Sequence, residues 1–469
     1  MSVGAAARRL ACPCALVAAP AAQAHGFGQR YDLPLPLSLY VTGAALTVAV
    51  SCVMLAVFVR SSPHGAGEAR FRLLPEALAR HGAVRLLVAL ARTIAVAGYL
   101  LVVAAGFAGN QNPFKNVAPV TVWALWWVGM AYVSALVGDV WKIVNPLETI
   151  FRVAERAGLR ALRRELPPAA GVWPAVALYL VFIWMEIAWD ASDRPAAIAA
   201  AIAAYSLVTW IGMFVFGAEA WLAHCEAFAR LFGTLARFSP SEVRVAGGRL
   251  IEWRLRPYAV GLLPRAPLGI SEIALVVVIL ASVSLDGFLE TPAWAAIAEG
   301  MDDWPVSPRT LAIALAPLLF LGIYIIFCRL IAWSAGGVST RRVAGLFAPT
   351  LVPIAIAYQI AHYLSFLAMA GQYIIPLASD PFGVGWDLFG TGTYFVRLGL
   401  VDARAVWYVS VAAIVAGHIA ALFLGHLLAL REFAGRRAAV RSQWPMLVLM
   451  VGYTTLSLWI IAQPIVTTR

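Results

Sequence analysis

Apolar residues run along this chain in long uninterrupted blocks, separated by short stretches that hold nearly all of its charge. Ten blocks are long enough to cross a bilayer core of roughly 30 Å, which takes about 20 helical residues. They cover approximately 37–59, 86–108, 119–138, 174–190, 196–222, 270–286, 310–333, 345–371, 405–430 and 444–463. In lipid every backbone polar group must be satisfied within its own segment, so each block is predicted as a helix. The runs do not alternate as the strands of a membrane barrel do. The expected fold class is therefore all-α, a polytopic transmembrane helical bundle.

Composition agrees with the pattern. Of 469 residues, 62% are hydrophobic and 13% charged, and the mean hydropathy is +0.82. Soluble domains are nearer half apolar and about a quarter charged, so a soluble enzyme, a disordered chain and a fibrous one are all excluded. Residues 1–24 carry Arg8 and Arg9, an apolar run from Leu10 to Ala21, and Ala22-Gln23-Ala24. That order predicts a cleavable signal peptide, leaving 25–469 as one transmembrane domain with His25 at its new N-terminus. Cys12 and Cys14 fall in the leader, and Cys52, Cys225 and Cys328 lie in or beside spans. No cysteine spacing matches a zinc site or a disulfide framework.

Charge sets the orientation. Alternate loops hold 25 Arg and Lys residues and the opposite loops seven, so the basic side is expected to face the cytoplasm of a bacterial inner membrane, with both mature termini outside. This asymmetry accounts for the net charge of +11 without nucleic acid. The cytoplasmic loops include 224–269, and the outer loops include an acidic one at 286–309 and a glycine- and aromatic-rich one at 372–404. Residues 152–165 read as a basic amphipathic helix on an anionic leaflet, and 241–256 as a hairpin turning at Gly247-Gly248. For both, a solvated charged loop is the plainer alternative.

An ionisable side chain inside a bilayer costs a few kcal/mol, so it faces the bundle interior and takes a partner. Four such residues stand out as candidate catalytic groups: Glu186 on the fourth span, Asp286 ending the sixth, His362 on the eighth and His418 on the ninth. The two imidazoles lie at depths of roughly 15 and 20 Å at 1.5 Å per residue. On adjacent antiparallel spans they are expected to meet, with the acids above them. Such a pocket suits a divalent metal held by His362, His418 and a carboxylate, or a proton relay, while an N-terminal His25 offers its amino group and ring to a copper ion as a site apart. For any one histidine a helix-orienting hydrogen bond is the plainer reading, whereas the set of two deep histidines with carboxylates on several spans points to a functional cavity. A second group, Glu219, His224, Cys225 and Glu226, reads as an interface helix. Arg92, near the inner end of its span, reads as snorkelling or pairing with an acid.

At HGFGQRYDLPLP, SVSLDGFLETPAW, VPIAIAYQIAHYLSFLAMAGQ and AGHIAALFLGH the chain resembles a family of bacterial multi-pass membrane proteins named fenitrothion hydrolase. The likeness covers nearly all of the chain after the leader. It implies hydrolysis of an apolar organophosphate ester, a small molecule that partitions into the lipid bilayer. The H-x-H element of soluble metal-dependent organophosphate hydrolases is absent. Two other classes compete: a proton-coupled transporter built as two inverted five-helix halves, with helices broken at Pro349, Pro353 and Asp286-Gly287, and a haem or copper protein using His362 and His418. Walker A, G-x-S-x-G, H-E-x-x-H and G-x-G-x-x-G elements do not occur.

Overall fold

The computed structural model describes residues 32–59, 70–263, 266–301, 304–397 and 399–465. The expected leader, residues 1–24, and His25 therefore lie outside the described residues. Among the described residues ten helices are long and apolar enough to span a membrane: α1 (Leu37–Phe58), α2 (Gly82–Ala108), α3 (Val117–Leu136), α4 (Pro168–Ile187), α5 (Pro195–Phe216), α6 (Ile270–Leu289), α7 (Pro308–Ser334), α8 (Thr340–Ser379), α9 (Ala403–Glu432) and α10 (Arg436–Gln463). The protein is an all-α multi-pass membrane bundle.

Burial divides these helices sharply. In α8, 94% of the most apolar window is buried, and in α6 78%, whereas α2 has 6% and α1 and α7 17% each. The outer helices present leucine, valine and isoleucine to lipid, as Leu46, Leu86, Ile94 and Leu318 do. The polar residues of α6 and α8 are thus held in the centre of the bundle. α8 packs most extensively against α9. A Cβ on Gly417 would collide with that of Ala357 and lie 2.8 Å from the Pro353 carbonyl, so glycine there lets the two backbones meet.

Local chemistry explains the irregularities. In α8, Pro349 sits in a 3-10 turn, Ala348–Leu351, between the helices Thr340–Phe347 and Val352–Ala370. The expected break at Asp286-Gly287 does not occur: the helix runs unbroken to Leu289, because glycine there gives room to the Tyr358 hydroxyl rather than ending the turn. Within α3, Val120–Gly129 winds as a π-helix, a wide geometry often kept for functional reasons.

The basic segments gather at one end. Strands β1 (Phe71–Leu74), β2 (Ser241–Ala246) and β3 (Arg249–Leu255) form an antiparallel sheet in the order β1-β3-β2. Gly247 (φ 56°) and Gly248 (φ 69°) both adopt the left-handed region that a two-residue hairpin turn requires. Arg92 ties this sheet down, donating to the carbonyls of Ile143 (2.7 Å) and Gly248 (2.6 Å), and its charge is also attracted by Glu148. The amphipathic helix expected over 152–165 is not formed as such. A helix ends at Arg156, and the chain continues as an extended strap whose Leu162 and Arg164 amides bond to the Phe214 and Val215 carbonyls, both at 2.8 Å. Those end-of-helix carbonyls of α5 otherwise lack partners, which favours the strap over two more helical turns.

Candidate functional site

Four central helices bring one polar cluster together. Asp286, near the end of α6, accepts a hydrogen bond from the Tyr363 hydroxyl at 2.5 Å, and its Oδ2 lies 2.9 Å from His362 Nε2. His362 and Tyr363 are consecutive on α8. The Tyr363 oxygen is also 3.3 Å from Glu186 Oε1 on α4, and that same carboxylate oxygen accepts the Trp127 indole N–H of α3 at 2.6 Å. Trp127 projects from the π-helical stretch. The result is a continuous line: Trp127, Glu186, Tyr363, Asp286, His362.

Its proton inventory is informative. A phenol has one proton, so Tyr363 cannot fully satisfy both carboxylates. The shorter contact assigns that proton to Asp286. The side chains of His362 and Asp286 are 5% and 13% exposed, so the centre is shielded but not sealed. Tyr179 and Ser282 continue the polar lining beside it, with hydroxyls 3.0 Å apart.

His418 lies elsewhere. Ser410 of α9 donates to the Ala361 carbonyl of α8 at 3.1 Å, which fixes the register of the pair. His418 is eight residues further along α9, so it lies about 12 Å from the level of His362 at 1.5 Å per residue. The depths expected from span ends placed the two imidazoles too close, because they took no account of the stagger between α8 and α9. His418 is 1% exposed, and its Nδ1 is 2.7 Å from the Ile414 carbonyl one turn back. Its Nε2 has no hydrogen-bond partner among the described residues. The ring lies 5.7 Å from that of Tyr453, whose hydroxyl pairs with Ser284.

Imidazoles that far apart cannot ligate one ion, since each metal–nitrogen bond is only about 2 Å. Among the described residues no set of three or more His, Cys, Asp or Glu side chains is placed to hold a metal. The donor set expected from sequence, His362 with His418, does not fit a shared metal, haem or copper centre.

The remaining candidates have structural duties. His426 bridges Gln443 Oε1 (2.9 Å) and the Val59 carbonyl (2.8 Å), joining α9 to α10 and α1. Glu226 is buried and caps the helix Ala227–Ala236, accepting from the amides of Phe228 (3.0 Å) and Ala229 (2.6 Å) and from the Tyr205 hydroxyl. Burial pushes its carboxyl above the usual range. Glu219 accepts from the Gly247 amide at 2.9 Å. Sequence reading missed Tyr363 and Trp127 as members of the cluster. Tyr363 sits directly after His362 on the most buried helix, which is the one signal that pointed to it.

Fold and cluster together define a class: a multi-pass helical membrane protein with a carboxylate–tyrosine–imidazole centre inside the bundle. No family model, curated protein or solved structure matches the chain.

Proposed function

We propose that the chain is a membrane-embedded hydrolase working by acid–base chemistry at the Asp286–His362 pair, in a bacterial inner membrane with the basic end toward the cytoplasm. The observation that carries this reading is the 2.9 Å contact between Asp286 and His362 inside the bundle. A carboxylate aligns an imidazole and stabilises its charged form, which suits it to accept a proton from water. The substrate class, an apolar aryl phosphotriester that partitions into lipid, comes from the family resemblance. In the reaction, water attacks phosphorus and the bond from phosphorus to the aryl oxygen breaks. The water proton passes to the Asp286–His362 pair, and the aryl oxide leaves as an anion. Tyr363 and Trp127 hold the two carboxylates in place while this happens.

The test uses purified protein in proteoliposomes and a nitrophenyl phosphotriester, followed by nitrophenolate absorbance. Asp286→Asn and His362→Gln are each expected to lower kcat by about a hundredfold or more, the usual scale of a positioned base. His224→Gln, in an exposed residue outside the cluster, should leave it unchanged. Full turnover in both cluster variants overturns the assignment.

One observation favours proton-coupled transport instead. Ser284, Tyr453 and His418 extend the polar residues from the cluster into the bundle, the kind of spacing along which a proton can move. The helix packing does not favour an inverted five-plus-five carrier. α1 packs chiefly on α9 and α10, while its counterpart α6 packs on α4, α7 and α8. Proton uptake by wild-type proteoliposomes in the absence of any ester would select this second reading.

A further inference from the structure

The strap that replaces the expected amphipathic helix borders a cleft of about 810 Å³ at the basic end of the bundle. Five arginines line it: Arg152, Arg156, Arg160 and Arg163 from the helix and strap, and Arg249 at the start of β3. Two of them are neutralised within the protein. Arg152 faces Glu148 (3.4 Å), Glu155 (3.1 Å) and Glu219 (3.6 Å), and Arg163 faces Glu155 (3.6 Å). Arg156, Arg160 and Arg249 make no ion pair or side-chain hydrogen bond among the described residues, and Glu155 is the one acid in the lining. Three unpaired guanidinium groups therefore converge on one concavity, where forked donors match phosphate oxygens.

A second cavity adjoins the first. It measures about 360 Å³ and is walled by apolar side chains, among them Phe151, Ala154, Trp210 and Phe214. Leu159 lines both cavities, so the apolar crevice opens directly beside the arginines. The crevice lies between the helix Pro146–Arg156 and the last turns of α5, where Ile211 is 54% exposed and faces lipid. The strap's Leu162, likewise 54% exposed, marks the same level.

We propose that this composite is a binding site for an anionic phospholipid, its headgroup phosphate on Arg156, Arg160 and Arg249 and an acyl chain in the crevice beneath Leu159. Basic pockets between helices at one leaflet are suited to such headgroups. A soluble phosphate compound shares the headgroup chemistry but has nothing to put in the crevice. The site is remote from the Asp286–His362 centre and does not depend on what that centre does.

Full-length protein in detergent is titrated with cardiolipin, phosphatidylcholine and inorganic pyrophosphate, and binding is read by native mass spectrometry. Cardiolipin is expected to bind and phosphatidylcholine not to. Each Arg→Gln change should weaken cardiolipin about fivefold, and Arg156→Gln, Arg160→Gln and Arg249→Gln together on the order of a hundredfold. Because none of the three has an internal partner, the triple variant should melt with the wild type. Ala154→Trp, which fills the crevice and leaves the arginines, should weaken cardiolipin while sparing any pyrophosphate bound. The proposal is overturned if the triple variant binds cardiolipin as well as the wild type does. It is overturned equally if phosphatidylcholine binds as tightly, or if pyrophosphate alone binds.

Discussion

Tyr363→Phe removes a single oxygen and touches both carboxylates of the cluster, so it tests the geometry with minimal change in volume. The hydroxyl gives a 2.5 Å hydrogen bond to Asp286 and lies 3.3 Å from Glu186. A hydrogen bond to a charged acceptor contributes about 1.5–3 kcal/mol. Interhelical hydrogen bonds within membranes average about 0.6 and reach about 1.7 kcal/mol, because the unfolded chain also finds partners. A short, shielded bond to a carboxylate belongs at the top of the membrane range, so a loss of about 1.5–2 kcal/mol is expected. Double-mutant cycles then separate the two acids. Coupling of Tyr363→Phe to Asp286→Asn should be about 1 kcal/mol and to Glu186→Gln below about 0.5 kcal/mol. The assay is reversible unfolding in mixed micelles titrated with sodium dodecyl sulfate, followed by tryptophan fluorescence. Equal couplings, or a larger one to Glu186, would refute the arrangement, and no coupling to either would remove the cluster altogether.

Three further outcomes follow from the packing and the basic end. Gly417→Leu should destabilise the bundle by about 2 kcal/mol or more in the same assay, since the side chain would meet Ala357 and the Pro353 carbonyl at the closest helix pair. Arg256 is buried and donates to the carbonyls of Ala236 (2.8 Å), Arg237 (3.3 Å) and Ser239 (3.2 Å), closing the end of the helix Ala227–Ala236. Arg256→Gln should expose the hairpin to limited proteolysis at a cost of about 2–3 kcal/mol, the range for charge-assisted bonds. Glu226 tests the pH dependence. Its folded carboxyl is held above the ordinary value of 4.5 by burial, so the folded state keeps its proton to higher pH than the unfolded chain. Stability from this group is therefore lost as pH rises above 4.5 toward the folded value. Glu226→Gln should grow more stable relative to the wild type over that rise, measured as melting temperature against pH. A difference that shrinks with rising pH would contradict the burial assignment.

The spans were legible in the chain because each announces itself locally. Ten apolar runs needed no knowledge of packing, and Gly247-Gly248 between two alternating stretches is a local signal too. What escaped was non-local. The strap over residues 157–167 has helix-forming composition, yet it lies extended because the end carbonyls of α5 accept its amides. β1 consists of four residues whose reason for being a strand is β3, some 180 positions later. His362 and Asp286 were visible as polar residues in apolar runs, but only the stagger of α8 on α9 separates His418 from them. Tyr363 was hidden because tyrosine is unremarkable in a membrane helix until its hydroxyl is seen between two acids.

The cluster joins α3, α4, α6 and α8 through two carboxylates, a phenol, an indole and an imidazole, so it acts as a fastening as well as a centre of chemistry. Those two roles predict different patterns of loss. If fastening were the whole of it, loss of turnover in each variant would track loss of stability, and Tyr363→Phe would be as damaging to rate as His362→Gln. If Asp286 and His362 move a proton, the two measurements part. His362→Gln retains a hydrogen-bonding amide opposite Asp286 and should cost little stability while abolishing turnover. Tyr363→Phe leaves the carboxylate–imidazole pair in place, weakens the fastening between α4, α6 and α8, and should spare much of the rate at temperatures where the bundle stays folded. The ratio of the two effects, more than either alone, distinguishes a working site from a buried polar clasp.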